Sequence, residues 1–444
     1  MRRSSRPTAG GGRRGRLALT QATAPAPDPT PAELRLGEIV PREILTPASV
    51  DELAAILRAR NESGEAVVIV GGGTLQGIGH APRRYDLALR TTALNRTIEY
   101  EYRDLTIAVQ AGMSLAELDA TLAARGQFVP LDAPQAGRGT VGGVLASGWL
   151  GPRRAAYGRP RDLLIGTTVV LADGTVAKAG GMVVKNSTGY DMSRFYCGSL
   201  GTLAAVVRAN FKTLPLPEVR RVALATLPEA TRKHVLENIM RLDVEPVAAL
   251  TIDGFADAVD LHDDIDGRLF LLFEGSRVLI DRATRELRSL LGAAGVPDTT
   301  LIDAGAGQSF ARLIDAYTVR IGDRSATYRS RGLPGDLFGR SATIARLARL
   351  HELHLERMED MRTGDLIARV SAPVGAQFDE RIVPFDTALH AATPRAQVIA
   401  APESSRGSLA MWGAPPPSLD VMRAIKTRFD PKGTLAPGRF VGGI

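Results

Sequence analysis

Two short segments of the 444-residue chain place glycines where backbone N–H groups can meet an anion: Gly71-Gly72-Gly73-Thr74, running on into Leu75 and Gln76, and Thr140-Val141-Gly142-Gly143. With no Cβ in the way, consecutive amides form a nest for phosphate oxygens, and two such loops suit a dinucleotide diphosphate. A tight turn is the competing reading for either loop alone. Neither is a Rossmann fingerprint, because G-x-G-x-x-G must open a helix, and Gly77-Ile78-Gly79-His80-Ala81-Pro82 cannot continue as one. A Walker lysine followed by Ser/Thr is missing in that register, so phosphoryl transfer loses ground. His351 and His354 fall on one face of a predicted helix, near Glu352 and Glu356. Without a third ligand at a recognisable spacing, and with HExxH unmatched, they read as solvated helix histidines, and no metal is expected. Cys197 is the sole cysteine; it reads as a small core residue and excludes an intrachain disulfide, a CxxC pair and a thiolate zinc site.

The elements that must carry these loops are legible locally. Ser49 and Glu52 form a capping box for a helix with Leu53, Ile56 and Leu57 as its stripe and Gly64 as its stop. Ala66 to Val70 then reads as a buried strand ending in the first glycine loop. A looser copy follows: Leu105 to Gln110 as a strand, and Ser114 with Glu117 opening a helix closed by Gly126. Leu163 to Leu171 and Thr175 to Lys178 read as a hairpin turning at Asp173-Gly174. From about Pro217 the character changes. Arg268 to Glu274 and Leu366 to Ser371 read as strands and Ser276 to Leu291 as an amphipathic helix, which implies an α+β domain with an antiparallel sheet. After the proline cluster at Ala414 to Pro417, Ser418 to Phe429 reads as a helix.

Composition bounds the function. An apolar fraction of 44% and a charged fraction of 23% are those of a folded globular chain. Of the net charge of +7, much sits in Arg2, Arg3, Arg6, Arg13, Arg14 and Arg16, in a stretch expected to be a disordered tail, so no nucleic-acid partner follows. No stretch approaches the ~20 apolar residues that span a bilayer, and no apolar region follows the opening Met-Arg-Arg as a signal peptide requires. Cytoplasmic localisation is expected, with any membrane association made through partners.

Three segments, VIVGGGTLQGIG from Val68, TVGGVLASGWLGPRRAAYGRPRD from Thr140 and VKNSTGYDMSRFYCGSLG from Val184, resemble in order and spacing the vanillyl-alcohol-oxidase-type (PCMH-type) FAD-binding oxidoreductases, and among them the FAD-binding subunit of bacterial glycolate oxidases. The closing Pro437-Gly438-Arg439 resembles that family's last motif. The resemblance implies an α+β fold: a tail over 1–35, a two-subdomain FAD-binding domain over 36–217, a substrate (cap) domain over 218–415, and a segment over 416–444 returning to the first domain. It implies FAD gripped by Gly71, Gly72, Gly73, Thr74, Leu75, Gln76, Thr140, Val141, Gly142 and Gly143, with Pro134, Ala146, Ser147, Tyr157, Gly158, Val206 and Arg439 around it. Val70 and Ala436 stand where the family often has Arg and Asn. Neither loop offers the His or Cys that attaches flavin covalently in some members, so FAD is expected to dissociate. The implied activity is oxidation of a small 2-hydroxy acid, with electrons passed to an acceptor other than NAD. The alternative is an FAD-bearing structural or relay subunit working beside a paralogous FAD subunit and an iron–sulfur subunit. A flavin takes a hydride from a donor whose carboxylate is anchored, and an Arg fork suits that anchor. Arg369, on the predicted strand Leu366 to Ser371, is the candidate, a solvated strand Arg being the alternative. In the segment resembling the flavin-facing loop, Lys185 would stabilise negative charge and Tyr190 would donate a hydrogen bond; with Asn186 they otherwise cap and pack a turn.

Overall fold

The computed structural model describes residues 29–183, 190–255, 267–296, 298–317 and 324–444. The helix expected after Ser49 spans Val50–Ser63: Ser49 Oγ accepts from the Glu52 amide, and Gly64 ends it at φ +73°, a conformation glycine takes without a Cβ penalty. It packs beside a parallel three-stranded sheet in the order Glu43–Leu45, Leu87–Arg90, Val67–Val70. The chain end returns to this sheet, the Val67 amide donating to Thr434 O and the Ala436 amide to Val67 O. Leu34, in the turn Pro31–Leu34, is buried against the same region, so the segment read as a tail is structured at its end.

The second strand-helix unit differs from the first in its sheet. Thr106–Gln110 joins an antiparallel five-stranded sheet in the order Thr97–Glu101, Thr106–Gln110, Ala205–Lys212, Leu164–Val170, Val176–Gly180. The capping box is made: Ser114 Oγ accepts from the Glu117 amide at 3.2 Å and the Glu117 carboxylate from the Ser114 amide at 3.0 Å. Asp173-Gly174 does turn the hairpin, with Gly174 at φ +82°.

Eight antiparallel strands form the second half, in the order Thr300–Ile302, Val219–Thr226, Arg268–Gly275, Ala248–Asp253, His354–Asp360, Leu366–Ser371, Ser325–Ser330, Ala396–Ala400. Side chains alternate across this sheet. Leu366, Ala368 and Val370 face a core closed by the helices Arg277–Ala293, Leu337–Leu350 and Phe378–Ala392. Ile367, with Met358, Phe270 and Ile399, joins the core shared with the glycine-loop half. One face of the large sheet therefore looks onto the candidate site. His351 and His354 do not share a helix: the helix ends at Leu350, Glu352 takes φ +50°, and His354 opens a strand.

Two adjacent arginines lock the halves together. Arg153 Nε donates to Asp132 at 2.9 Å and its Nη1 to Glu274 of the large sheet at 3.1 Å. Arg154 grips Asp365 through both Nη atoms at 2.8 Å, and Arg329 Nε meets the same carboxylate at 2.7 Å while its Nη2 donates to Leu150 O. Such buried pairs lose ~3–5 kcal/mol when one partner is removed, enough to hold the relative placement of the two halves.

Candidate functional site

The first glycine loop leaves the strand Val67–Val70 and lines a cleft formed by Gly71 to Gln76, Thr140, Gly143, Ala146, Ser147 and Arg439. Among the described residues, no amide from Gly71 through Gln76 donates a hydrogen bond to the chain. Two carbonyls at and just past the end of this run are held: Gln76 O accepts from Arg406 Nη1 at 3.1 Å and Arg439 Nη2 at 3.3 Å, and Ile78 O from Arg439 Nη2 at 2.8 Å. A run of amides without partners in the described chain, lining one cleft beside a buried guanidinium, offers the donors that a diphosphate cradle needs. Burial, then the nearby Arg406, lowers the Arg439 pKa to about 10, and its Nη1 has no hydrogen-bond partner.

The second loop differs from its sequence reading. Thr140 caps a short helix, Val141–Ser147, and the loop's amides are taken: Val141 N donates to Met113 O, Gly142 N to Ala111 O and Gly143 N to Thr140 Oγ1. It is the opposite wall rather than a second nest, and the glycines of the first loop are needed for its approach. An added Cβ on Gly71 would lie 2.1 Å from Thr140 Oγ1, and one on Gly72 1.7 Å from Arg138 O. The small residues Ala146, Ser147 and Gly148 likewise allow a close chain crossing, since a Cβ on Gly148 would lie 2.9 Å from Gly198 Cα.

A second cleft shares Val144 and Ser147 with the first and opens between the two halves, lined also by Arg159, Arg161, Cys197, Arg331, Gln397 and Trp412. Arg159 is paired with Asp162 at 2.8 Å. Neither Arg161 nor Arg331 has a carboxylate partner among the described residues; Arg331 Nη2 reaches Gln397 Oε1 at 3.4 Å. Burial pushes the Cys197 thiol up to about 12, which keeps it protonated and unreactive.

Of the residues proposed from sequence, Gly71 to Gln76, Thr140, Gly143, Ala146, Ser147 and Arg439 meet around the first cleft. Pro134, Val141, Gly142, Tyr157, Gly158 and Val206 line neither cleft. Tyr157 instead donates to Glu274 at 2.8 Å, in the lock between the halves. Arg369 is on the sheet face toward the site but is committed: 4% exposed, its Nη1 meets Glu356 at 3.3 Å, its Nη2 donates to Ala316 O, and its guanidinium stacks 4.2 Å from the Phe255 ring. Tyr190 is 94% exposed and lines neither cleft. Lys185 and Asn186 lie outside the described residues. Sequence reasoning missed Arg161, Arg331 and Arg406; arginine is abundant in this chain, and only the tertiary fold brings Arg161 and Arg331 to the second cleft and buries Arg406 beside the first loop.

Residues 41–180 match the FAD binding domain family. The chain is 33% identical over 186 residues to the glycolate oxidase subunit GlcD of Bacillus subtilis, covering 42% of this chain and 40% of that one. It is 32% identical over 191 residues to the glycolate oxidase subunit GlcE of Escherichia coli (43% and 51%), and 28% identical over 239 residues to a D-lactate dehydrogenase of Archaeoglobus fulgidus (53% and 53%). These matches thus span about half or less of the relatives' length. Among solved structures, p-cresol methylhydroxylase superposes with a TM-score of 0.71 at 15% identity, covering 89% of this chain and 88% of that one, and alkyldihydroxyacetonephosphate synthase with 0.64 at 16% (89% and 77%). The cradle also fits the group: uncommitted amides and an orphaned Arg439 N–H are what a diphosphate requires. Residues 41–180 are therefore an FAD binding domain, FAD is the cofactor, and the chain shares the fold of p-cresol methylhydroxylase.

Proposed function

We propose that the chain oxidises a small 2-hydroxy acid of the glycolate or D-lactate kind, using dissociable FAD and passing the electrons to a partner or acceptor other than NAD. The observation that carries this reading is the continuity of the two clefts. A ligand held by its diphosphate in the first would have room past Val144 and Ser147 in the second, where Arg161 and Arg331 offer positive charge without a carboxylate partner among the described residues. FAD supplies, when bound, the acceptor for the two electrons. The chain supplies the rest: amides 71–76 to fix the cofactor, Arg331 to anchor the acid by a charge-assisted fork, and the Arg153 and Arg154 locks to hold the large sheet, whose strand Ser325–Ser330 leads directly into Arg331, against the first half. Arg331 takes the role that sequence reading gave to Arg369, whose fork is already engaged.

A second reading, an FAD-bearing relay subunit acting beside a paralogous catalytic chain and an iron–sulfur subunit, is favoured by two observations. Among the described residues no three His, Cys, Asp or Glu side chains converge as a metal site, and two of the relatives, GlcD and GlcE, are named as glycolate oxidase subunits. Anaerobic mixing of the purified chain with glycolate or D-lactate separates the two. Bleaching of the flavin band is the expected result, and a flavin that stays oxidised until a partner chain is added supports the relay.

A further inference from the structure

Beneath the diphosphate cradle lie two arginines, Arg406 and Arg439, each only 2% exposed. They come from different parts of the chain, Arg406 from the cap of the turn Glu403–Ser405 and Arg439 from the C-terminal segment, and they converge on one acceptor, Gln76 O. The carboxylate beside them is Glu403, 3.0 Å from Arg406 Nη2 and one third exposed, which also accepts from the Gly37 amide. Glu403 pairs with Arg406 and acts on Arg439 only through its field, and among the described residues Arg439 Nη1 and Arg406 Nε are buried without hydrogen-bond partners. Burial and the Arg406–Arg439 repulsion lower the Arg439 pKa, and burial lowers that of Arg406. A buried charge left uncompensated disfavours the state that holds it, unless a ligand brings the opposite charge.

We propose that Arg406, resting on FAD as the cofactor, is a positioning residue of the diphosphate site: with Arg439 it forms a buried dication that pins the Gln76 carbonyl where the first glycine loop ends, and so the end of that loop, and that is neutralised by the FAD diphosphate. Arg406 acts through the loop and through its charge, while Arg439 lines the cleft itself. The apoprotein then carries a destabilising excess of positive charge that cofactor binding relieves.

The test uses full-length apoprotein and three probes: FAD, ADP and riboflavin, the last lacking a diphosphate. Wild type binding FAD is the control that keeps failure of this inference distinct from failure of the cofactor assignment. Arg406→Met is expected to weaken FAD and ADP 10- to 100-fold, to change riboflavin affinity by no more than about twofold, and to leave the apoprotein melting temperature equal or higher; Arg406→Lys should recover part of the loss. Glu403→Gln, which raises the net charge, should lower the apoprotein melting temperature and enlarge its rise on adding FAD. FAD and ADP affinities within about threefold of wild type in Arg406→Met would overturn the proposal. So would a fall in its apoprotein melting temperature together with equal weakening of all three probes, or a Glu403→Gln protein whose FAD-induced shift is no larger than that of wild type.

Discussion

Gly72→Ala and Gly72→Asp are both expected to yield folded protein without flavin, with FAD affinity reduced by roughly 100-fold or more, a loss of about 3 kcal/mol at ~1.4 kcal/mol per decade. The cause is steric before it is electrostatic. A Cβ at this position would sit 1.7 Å from the backbone carbonyl of Arg138, which cannot swing aside as a side-chain tip does, so the first loop must withdraw from the second wall and the row of amides at 71–76 loses its alignment. Aspartate adds a carboxylate facing a diphosphate and makes matters worse. Gly73 is the control. It has φ +75° and nothing within 4 Å of an added Cβ, so Gly73→Ala carries only the ~1–2 kcal/mol strain of a left-handed residue and is expected to retain FAD about tenfold more weakly. Flavin-to-protein absorbance ratios and fluorescence titration of the apoproteins check the order. Gly143→Asp falls between them, since its Cβ meets the Thr140 hydroxyl at 3.1 Å, a contact that yields more readily than backbone. Full flavin content in both Gly72 variants would reduce the loop to a simple turn.

Arg331→Met is expected to keep FAD and the melting temperature while flavin reduction at low 2-hydroxy acid falls by one to two powers of ten, the equivalent of a charge-assisted fork of ~1.5–3 kcal/mol. Met retains the apolar stem and removes only the fork. Stability should hold because Arg331 pairs with no carboxylate among the described residues, its hydrogen bond there being the 3.4 Å contact with Gln397. Arg369→Met is expected to do the reverse. It strips Glu356 and Ala316 O of their partner in a buried setting and should cost ~3–5 kcal/mol of stability. Stopped-flow reduction beside thermal melts separates the two variants. A slow, stable Arg369→Met together with an unaffected Arg331→Met would return the carboxylate to Arg369.

What the sequence disclosed and what it concealed divide by the range of the interaction. Ser49, Gly64, Ser114 with Glu117, and Asp173-Gly174 act within a few residues of themselves, and each turned up as a cap, a stop or a turn in its expected place. The strand Leu366–Ser371 was legible to the residue because β-branched and apolar side chains alternate between two buried faces. The commitment of Arg369 was not, because Glu356 lies opposite it only once two strands pair in one register. His351 and His354 misled for a related reason: Glu352 takes φ +50° without a glycine to announce the helix end. The helix after Thr140 was too short, and too rich in small residues, to show an apolar stripe. Arg153, Arg154, Arg329 and Arg406 look like surface residues in sequence, and partners as far as 330 residues away make them buried locks and braces.

The central claim, that this chain holds FAD without a covalent bond in the cradle at 71–76, is tested most directly by acid precipitation of the purified protein. A yellow protein is expected, leaving a colourless pellet and releasing its flavin to the supernatant, where mass spectrometry and phosphodiesterase digestion identify it as FAD. A colourless protein that FAD cannot reconstitute, or a flavin that stays with the pellet, would contradict it.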